Sequence, residues 1–315
     1  MQEHSAAWQE QFVALGYPDA QPLAVGMEGA VYRLDDDTIG KVWGRRSVPE
    51  LRRLQRCYES IGGDPPARAF RLPAIRDVLV VRDATITIER LLPGDPLVGA
   101  LPETASALTP AMVDAILAVL RRLAAIPATA ALRDLPVLDE TRPLWEGCAT
   151  WADALGGLIA RRVARYGPRL APHVPRLAEK VTRLLARLAA LDVPALSLIH
   201  GDLVPANILV GAELRPTALL DFGFLSTAGD PAFETAVTAL ITDMCGPHAR
   251  AIERQLDDVI DTAFGYDQQR LTLYKAAYAL ATSNAYDEEG WDGHFAWCVR
   301  ILRRDDVAAL LDPEG

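Results

Sequence analysis

Three oxygen-bearing side chains lie close together in a segment rich in glycine, proline and aspartate. Asp202 and Asn207 are five residues apart, and Asp221 follows fourteen residues after Asn207 as the start of Asp-Phe-Gly. A carboxylate can orient an attacking hydroxyl and accept its proton, whereas an amide oxygen and a second carboxylate suit a hard cation such as Mg²⁺. Phosphoryl transfer needs these groups, because the metal ion neutralises charge on the phosphates.

Short runs of β-forming residues surround this segment and would position it. They are Ser197–Ile199, Ile208–Val210 and Ala218–Leu220. Each tripeptide or single aspartate is a weak signal by itself, but the combination between strands is specific. Polar loops held by buried strands often carry function, so we expect the reacting groups to lie here.

The N-terminal ninety residues alternate β-like runs with turns. Gly26 and Gly29 precede a hairpin whose strands are expected at Ala30–Leu34 and Thr38–Trp43, with a turn at the three aspartates between them. A helix is expected over Pro49–Ser60. A second strand pair is expected at Val78–Val81 and Thr85–Glu89, before a break at Leu92–Pro96.

Beyond that break the apolar residues follow a helical period. The expected helices are Pro110–Ala125, Trp145–Arg165, Pro175–Leu191, Pro231–Met244, His248–Phe264, Gln268–Ala285 and Gly293–Leu311. The chain is therefore expected to be α+β, with a small, mainly β lobe over residues 1–92 and a large, mainly helical lobe over residues 93–315.

The segment His200-Gly201-Asp202-Leu203-Val204-Pro205-Ala206-Asn207 resembles the motif HGDxxxxN of the aminoglycoside phosphotransferase family. The sequence Gly229-Asp230-Pro231-Ala232-Phe233-Glu234 resembles a second element of that family, and the resemblance covers about residues 22–245. It implies the bilobal fold of protein kinases. Protein kinases carry Arg where this chain has Gly201, which favours a small-molecule kinase.

The resemblance also implies roles for individual residues. Asp202 would be the catalytic base, and Asn207 and Asp221 would hold Mg²⁺. His200 would support the loop, and Asp230 would brace it through backbone hydrogen bonds. Val204 stands where the family often has His, so the substrate side of this loop is expected to differ.

Lys41 follows the hairpin and resembles the strand lysine that contacts nucleotide phosphates in kinases. It is one of three lysines among 32 basic residues, so a lysine at this place is unexpected by chance. Gly26 and Gly29 would let the backbone approach the phosphates. Glu50 is the expected acidic partner of Lys41, with Glu59 as the alternative.

The segment Ile88-Glu89-Arg90-Leu91-Leu92-Pro93-Gly94 resembles the hinge that binds a nucleotide base. The Glu89 carbonyl and the Leu91 N–H would be the contacts. Because backbone groups make these contacts, ATP and GTP are not distinguished.

An acidic and aromatic segment lies between the last two expected helices. Its candidate acceptor-binding residues are Asp287, Glu288, Glu289, Trp291 and Asp292. Carboxylates would pair with ammonium groups of a cationic acceptor, and aromatic rings could stack on sugars or bases. The alternative is a solvated acidic loop that caps the next helix.

Composition excludes several classes of protein. The chain has 315 residues, 50% of them hydrophobic, and a net charge of −10, which argues against nucleic-acid and anionic-membrane partners. Four widely spaced cysteines indicate free thiols rather than a metal or disulfide site. The polar N-terminus predicts no signal peptide, and no apolar run could span a bilayer, so a cytoplasmic protein is expected.

The expected function is transfer of the γ-phosphoryl group of ATP or GTP, with Mg²⁺, to a hydroxyl of a small molecule. An antibiotic is the leading acceptor class. A metabolic kinase for a sugar, a choline-like alcohol or a nucleoside would share every catalytic residue. A pseudokinase that serves as a nucleotide-binding scaffold is the non-enzyme alternative, and the presence of Asp202, Asn207, Asp221 and Lys41 together argues against it.

Overall fold

The computed structural model describes residues 2–25, 29–62, 70–82, 84–100, 105–193 and 195–312, with side chains from residue 8 onward. The strands are β1 Gln21–Val25, β2 Gly29–Arg33, β3 Thr38–Trp43, β4 Ile75–Val81, β5 Ala84–Arg90, β6 Asp95–Pro96, β7 Ser197–Ile199, β8 Ile208–Val210, β9 Pro216–Leu219 and β10 Thr227–Gly229. The α-helices are α1 Gln2–Ala14, α2 Val48–Ile61, α3 Pro110–Ala125, α4 Ala130–Arg133, α5 Trp151–Leu170, α6 Leu177–Ala189, α7 Pro231–Ile241, α8 Ala249–Phe264, α9 Gln268–Thr282, α10 Gly293–Leu302 and α11 Asp305–Leu311.

The chain divides into two compact units. Unit 1 comprises residues 1–96 and 208–220, and unit 2 comprises residues 97–207 and 221–315. Unit 1 therefore consists of two separate stretches of sequence. The first unit is mainly β and the second mainly helical, which gives the expected α+β class.

Unit 1 is built on an antiparallel sheet with the strand order β1-β2-β3-β5-β4. In the middle strand, Lys41 lies opposite Val31 of β2 and Thr87 of β5. Directly opposed residues share a face of a sheet. Lys41 and Thr87 therefore project from one face, and the alternate positions Val42 and Ile86 from the other.

Helix α1, which was not expected from sequence, covers the second face. Phe12 is fully buried and packs with Tyr32, Val42 and Ile86 in one apolar cluster. A Cβ added at Gly40 would lie 2.4 Å from the Phe12 ring. The glycine that precedes Lys41 is therefore what allows the helix to approach the sheet so closely.

The second stretch of unit 1 forms the hairpin β8–β9, which joins β6 in a small sheet of order β6-β8-β9. Backbone bonds tie this hairpin to Arg71, whose N–H donates to the Thr217 carbonyl at 2.7 Å and whose carbonyl accepts from the Leu219 N–H at 3.1 Å. The Thr217 hydroxyl also donates to the Pro93 carbonyl at 2.6 Å. These bonds hold the hairpin against residues that lie more than a hundred positions earlier.

Unit 2 is organised around α7 and α9. Every residue of α7 from Ala232 to Ile241 is buried, and α9 is buried from Leu273 to Thr282. Helices that are apolar around their whole circumference belong inside a fold. The short strands β7 and β10 pair beside them, and β7 leads directly into the segment with the reactive side chains.

A buried ion network joins α8, α9 and the start of α11. The Lys275 ammonium is 2% exposed and donates to Glu253 at 2.7 Å and to Asp257 at 2.6 Å. Arg304 donates to the same Glu253 carboxylate at 2.9 Å. Because buried charges need partners, this network fixes how these three helices pack.

The bounds of most expected helices differ from the observed ones by up to three residues, and two expected helices differ more. α5 begins at Trp151 rather than Trp145, because Thr150 and Asp153 form a reciprocal capping box. It also continues through Pro168 to Leu170. The expected helix Gly293–Leu311 is two helices, because Arg304 has an extended backbone (φ −64°, ψ 147°).

Candidate active site

The loop after β7 is held by one buried carboxylate. Glu234 Oε2 accepts the backbone N–H groups of His200 at 2.7 Å and Gly201 at 2.9 Å. Gly201 has φ +75°, and a Cβ there would lie 2.6 Å from the Leu225 carbonyl oxygen. Only glycine fits this position without displacing the neighbouring backbone.

The expectation that Asp230 braces this loop is wrong, because Glu234 has that role. Asp230 instead caps α7 by accepting the Ala232 N–H at 2.9 Å. Its other oxygen accepts from Arg270 Nε at 3.1 Å and from the Tyr274 hydroxyl. Burial raises the pKa of Glu234 to about 7, although the two loop N–H groups oppose that shift.

Asp202 and Asn207 are brought together by the turn between them. The Asp202 carbonyl accepts the Asn207 side-chain N–H and the Val204 backbone N–H, both at 2.9 Å. The Asn207 amide thus uses its nitrogen within the loop, and its Oδ1 atom is the oxygen donor that a cation would need. The Asp202 side chain and Val204 are half-buried.

The Asp-Phe-Gly turn packs against this loop through His200. Phe222 is buried and its ring centroid is 4.3 Å from that of His200. The backbone of Asp221 is left-handed at φ +53°, and Gly223 follows at φ +120°. The Asp221 carboxylate is exposed at the end of this turn.

Ser226 connects the same two loops by hydrogen bonds. Its hydroxyl donates to the His200 carbonyl at 2.8 Å and accepts the Gly223 N–H at 2.9 Å. Ser226 is fully buried. It belongs to no motif that the sequence displays, so only the structure reveals it.

In unit 1, Lys41 lies on a polar face of the sheet. Its Nζ is 4.7 Å from the centroid of the Trp43 ring. Trp43 Nε1 donates to the Thr87 hydroxyl at 2.9 Å, and that hydroxyl donates to the buried Glu89 carboxylate. The strand register makes Glu89 a diagonal neighbour of Lys41 on this face. The other two lysines of the chain are buried in ion pairs of unit 2.

The two glycines expected near the phosphates have different outcomes. Gly26 lies outside the described residues. Gly29 begins β2 opposite Trp43, and a Cβ there would lie 1.8 Å from the Val42 carbonyl oxygen. Its φ of +152° also disfavours any other residue.

Glu50 caps α2 rather than pairing with Lys41. Its carboxylate accepts the Ser47 N–H and the Ser47 hydroxyl, both at 2.7 Å, in a capping box. Among the ion pairs of the described residues, none involves Glu50 or Glu59. Glu59 is exposed near the end of the same helix.

At the expected hinge, the Leu91 N–H is already used. It donates to the Asp37 carbonyl at 2.8 Å, and the neighbouring Arg90 N–H donates to the Ala74 carbonyl at 3.0 Å. A base contact at Leu91 would have to replace the bond to Asp37. The Glu89 carbonyl stays a predicted contact.

The carboxylates of the C-terminal segment all have partners on the chain. Asp287 accepts the backbone N–H groups of Glu289 and Trp291, and Asp292 caps α10 through the Phe295 N–H at 2.6 Å. The side chains of Glu288 and Glu289 form ion pairs with Arg165 and Arg169 of α5. The cap formed by Asp292 agrees with the alternative interpretation, and acceptor binding by this segment stays a prediction. Trp291 is 84% exposed.

Cysteine, metal and membrane features add little to the site. Cys57, Cys148, Cys245 and Cys298 are free thiols. Burial raises the pKa of Cys57 and of Cys298 to about 12.

Over the described ranges, no three His, Cys, Asp or Glu side chains are grouped to hold a metal ion. In the same ranges, no helix has both the length and the apolar character that crossing a membrane requires.

The family model of the phosphotransferase enzyme family, APH, matches residues 19–274. The chain therefore belongs to this family and is a nucleotide-dependent phosphotransferase. The chain has the kinase-like fold of this family, with a small, mainly β unit and a larger, mainly helical unit. No curated protein sequence matches the chain at a significant level.

Solved structures of antibiotic phosphotransferases share this fold. The GDP complex of aminoglycoside 2'-phosphotransferase-IIIa has a TM-score of 0.60 and 17% identity, covering 97% of this chain and 99% of that chain. Macrolide 2'-phosphotransferase MphH from Brachybacterium faecium has a TM-score of 0.55 and 20% identity, covering 98% and 99%. Aminoglycoside phosphotransferase APH(3'')-Id from Streptomyces rimosus, in complex with ADP and streptomycin, has a TM-score of 0.51 and 19% identity. The match covers 91% of this chain and 98% of that chain.

Proposed function

We propose that this protein transfers the γ-phosphoryl group of ATP or GTP to a hydroxyl of a small-molecule acceptor. The observation that carries the proposal is the direct connection of the Asp202 loop to the Asp221 turn through Ser226 and the His200–Phe222 contact. This connection fixes the backbone from which a base and two oxygen ligands project. Phosphoryl transfer depends mainly on such positioning.

Asp202 would orient the acceptor hydroxyl and accept its proton as the oxygen attacks phosphorus. Its backbone carbonyl is fixed by Val204 and Asn207, and its N–H donates to His200 Nδ1 at 3.3 Å. The carboxylate therefore projects from a loop with little freedom. In unit 1, Lys41 and the backbone at Gly29 would contact the phosphates of the nucleotide.

The residues present fit Mg²⁺. This ion is usually held by one or two protein oxygens together with phosphate oxygens and water. Asn207 offers Oδ1 and Asp221 an exposed carboxylate, so a third protein ligand is not required. When bound, the ion would neutralise phosphate charge.

An antibiotic is the proposed acceptor class. Support comes from the solved relatives of like fold, which include a complex with streptomycin and ADP and one with kanamycin and GDP. A metabolite with a reactive hydroxyl is the second candidate. The same catalytic residues would serve it.

Asp202→Asn and Asp221→Asn test the proposal, with Asp258→Asn on the exposed face of α8 as the matched control. Phosphate transfer from γ-³²P-labelled ATP and GTP is measured over hydroxylated antibiotics and metabolites, with Mg²⁺ and with EDTA. We expect Asp202→Asn to lower kcat by about 10³-fold or more while nucleotide binding persists. We expect Asp221→Asn to raise the Mg²⁺ requirement. Turnover near that of the wild type in Asp202→Asn contradicts the proposed base.

A further inference from the structure

Aromatic side chains of unit 2 form a continuous row that ends beside the Asp-Phe-Gly turn. Ring centroids are 6.3 Å apart for Tyr278 and Trp297, 5.4 Å for Trp297 and His294, and 5.0 Å for His294 and Tyr286. Tyr286 then stacks on Phe224 at 5.8 Å with an interplanar angle of 6°. We call these five residues the aromatic row.

The inner end of the aromatic row lies near the candidate base. Tyr278 is 2% exposed, and burial followed by the negative charge of Asp202 raises the pKa of its hydroxyl. The charge of Asp202 acts on Tyr278 because the two side chains are within electrostatic range. Phe224, at the other end, directly follows Gly223.

Tyr286, the ring next to Phe224 in the aromatic row, reaches solvent. Tyr286 is 51% exposed although it stacks on one ring and contacts a second edge-to-face. Of the exposed large hydrophobic side chains in the described ranges, the aromatic ones are Tyr286 and Trp291. Both belong to the loop between α9 and α10. Exposed rings that are held rigidly are typical of surfaces that bind ligands.

The carboxylates of the same loop are already engaged on the chain. Arg165 lies between Asp139 and Glu288, and Arg169 pairs with Glu289. Backbone N–H groups hold Asp287 and Asp292. An ammonium group would have to displace these partners to reach a carboxylate of the loop.

We propose that the acceptor binds by a neutral ring face against Tyr286, and not as a polycation against the carboxylates of residues 287–292. This inference rests on the proposed function, because the stack of Tyr286 on Phe224 places the acceptor beside the Asp-Phe-Gly turn. The shared chemistry is an uncharged ring with a free hydroxyl. Either the C–H face of a sugar or a planar heterocycle supplies it.

The test measures acceptor binding and phosphorylation with nucleotide and Mg²⁺ present throughout. Methyl β-D-glucoside, which has no planar ring, and 5-(hydroxymethyl)uracil, which has no sugar, are the neutral probes, and they distinguish a sugar face from a heterocycle. Kanamycin is the polycationic probe. The variants are Tyr286→Ala and Tyr286→Phe.

Tyr266→Ala is the matched control, because Tyr266 stacks on Phe264 at 5.5 Å and 5° in another part of unit 2. It removes the same side chain from an equivalent ring pair. A general loss of stability from breaking a stacked pair would affect both alanine variants alike.

We expect a neutral probe to bind and to be phosphorylated, with Tyr286→Ala raising its KM about tenfold and leaving kcat within twofold. Tyr286→Phe and Tyr266→Ala should keep the KM of the wild type, and a rise in salt should not change it. Loss of one probe but not the other identifies the kind of ring.

Three results overturn the inference. Neither neutral probe binds, or Tyr286→Ala leaves the KM of a bound neutral probe unchanged, or kanamycin is phosphorylated with a KM that rises with salt and in Glu288→Gln. Nucleotide binding and its dependence on Mg²⁺ are recorded in the same samples. Their loss would instead refute the proposed function, so the two failures are distinguishable.

Discussion

The hydroxyl of Ser226 is small, but it bonds both loops of the candidate active site. Ser226→Ala removes the bonds to the His200 carbonyl and the Gly223 N–H. The Asp221 turn then loses its register relative to Asp202. We expect kcat to fall by about ten- to a hundredfold while acceptor KM changes less, because misplacement of reacting groups affects mainly the chemical step.

Ser197→Ala is the control for Ser226→Ala. Ser197 is 2% exposed, and its hydroxyl has no hydrogen-bond partner. The two variants make the same chemical change at a buried position. Equal kinetic effects would show that Ser226 acts only through general stability. Steady-state kinetics and thermal unfolding of both variants make the comparison.

The carboxylate of Glu234 predicts a pH dependence of stability. Burial raises its pKa from 4.5 to about 7, so between these values the folded chain binds more protons than the unfolded chain. Stability contributed by this group therefore falls as pH rises through that window. Glu234→Gln keeps an acceptor oxygen for the two loop N–H groups and does not titrate.

We expect the free energy of unfolding of Glu234→Gln, relative to the wild type, to increase by about 1–3 kcal/mol from pH 5 to pH 8. Urea unfolding at several pH values measures this difference. Parallel curves for the two proteins would contradict the raised pKa. Groups that titrate independently of Glu234 contribute equally to the unfolding free energies of both proteins, so their contributions cancel in the difference.

Sequence predicts the chemical groups of this site more directly than their supports. Asp202, Asn207 and the Asp-Phe-Gly turn follow a specific spacing, and their catalytic roles stay predictions. The resemblance assigns the brace to Asp230, whereas Glu234, four residues later on the same helix, makes the bonds to the loop. Which of them faces the loop depends on how α7 packs against β7, and local sequence does not contain that information.

At the scale of elements, helix α2 shows how one carboxylate can serve a helix end. The capping box between Ser47 and Glu50 satisfies N–H groups that the first turn leaves without partners. We expect Glu50→Ala to lower the free energy of unfolding by about 0.5–2 kcal/mol. Thermal or urea unfolding gives the value.

Glu59→Ala is the control in the same helix, because Glu59 is exposed near the C-terminal end. Its change in stability should stay within about 0.5 kcal/mol. If Glu50→Ala weakened nucleotide binding and Glu59→Ala did not, Glu50 would be the acidic partner of Lys41, as the sequence predicts. Nucleotide affinity is therefore measured along with stability.

Short strands with clear borders were predicted to the residue. The bounds of β3, β7 and β8 agree with expectation. Asp37 and Gly44 flank β3, and Gly211 follows β8. Helix α1 was missed, since Trp8 and Phe12 are the side chains in its described part that pack on the apolar cluster, and two residues make no repeating pattern. The capping box of α5 and the break at Arg304 depend on local hydrogen bonds that periodicity does not show.

At the scale of the molecule, unit 1 depends on a stretch far along the chain. A fragment of residues 1–96 lacks β8, which pairs with β6, and β9, which bonds to Arg71 and Pro93. The cluster of Leu92, Leu209 and Ala218 is also lost. We expect this fragment to unfold without a cooperative transition.

A joined fragment supplies the control. β6 runs antiparallel to β8 with Pro96 opposite Leu209, so a short turn can connect residue 96 directly to residue 208. We expect residues 1–96 followed by such a turn and residues 208–220 to unfold cooperatively in urea, as circular dichroism would show. A cooperative transition in the shorter fragment would contradict the dependence on the hairpin.

The division of unit 1 into two stretches has a consequence for how such chains can exchange parts. A single genetic crossover near residue 96 joins one parent's strands to the other parent's hairpin at 208–220. The cluster of Leu92, Leu209 and Ala218 then combines side chains from two different parents, which were not selected to pack together. A clean exchange needs two further junctions, one after Asn207 and one before Asp221. Both junctions adjoin the proposed metal ligands. Recombination that improves one unit therefore risks the chemistry of the other, and point substitution is the safer route to a new acceptor.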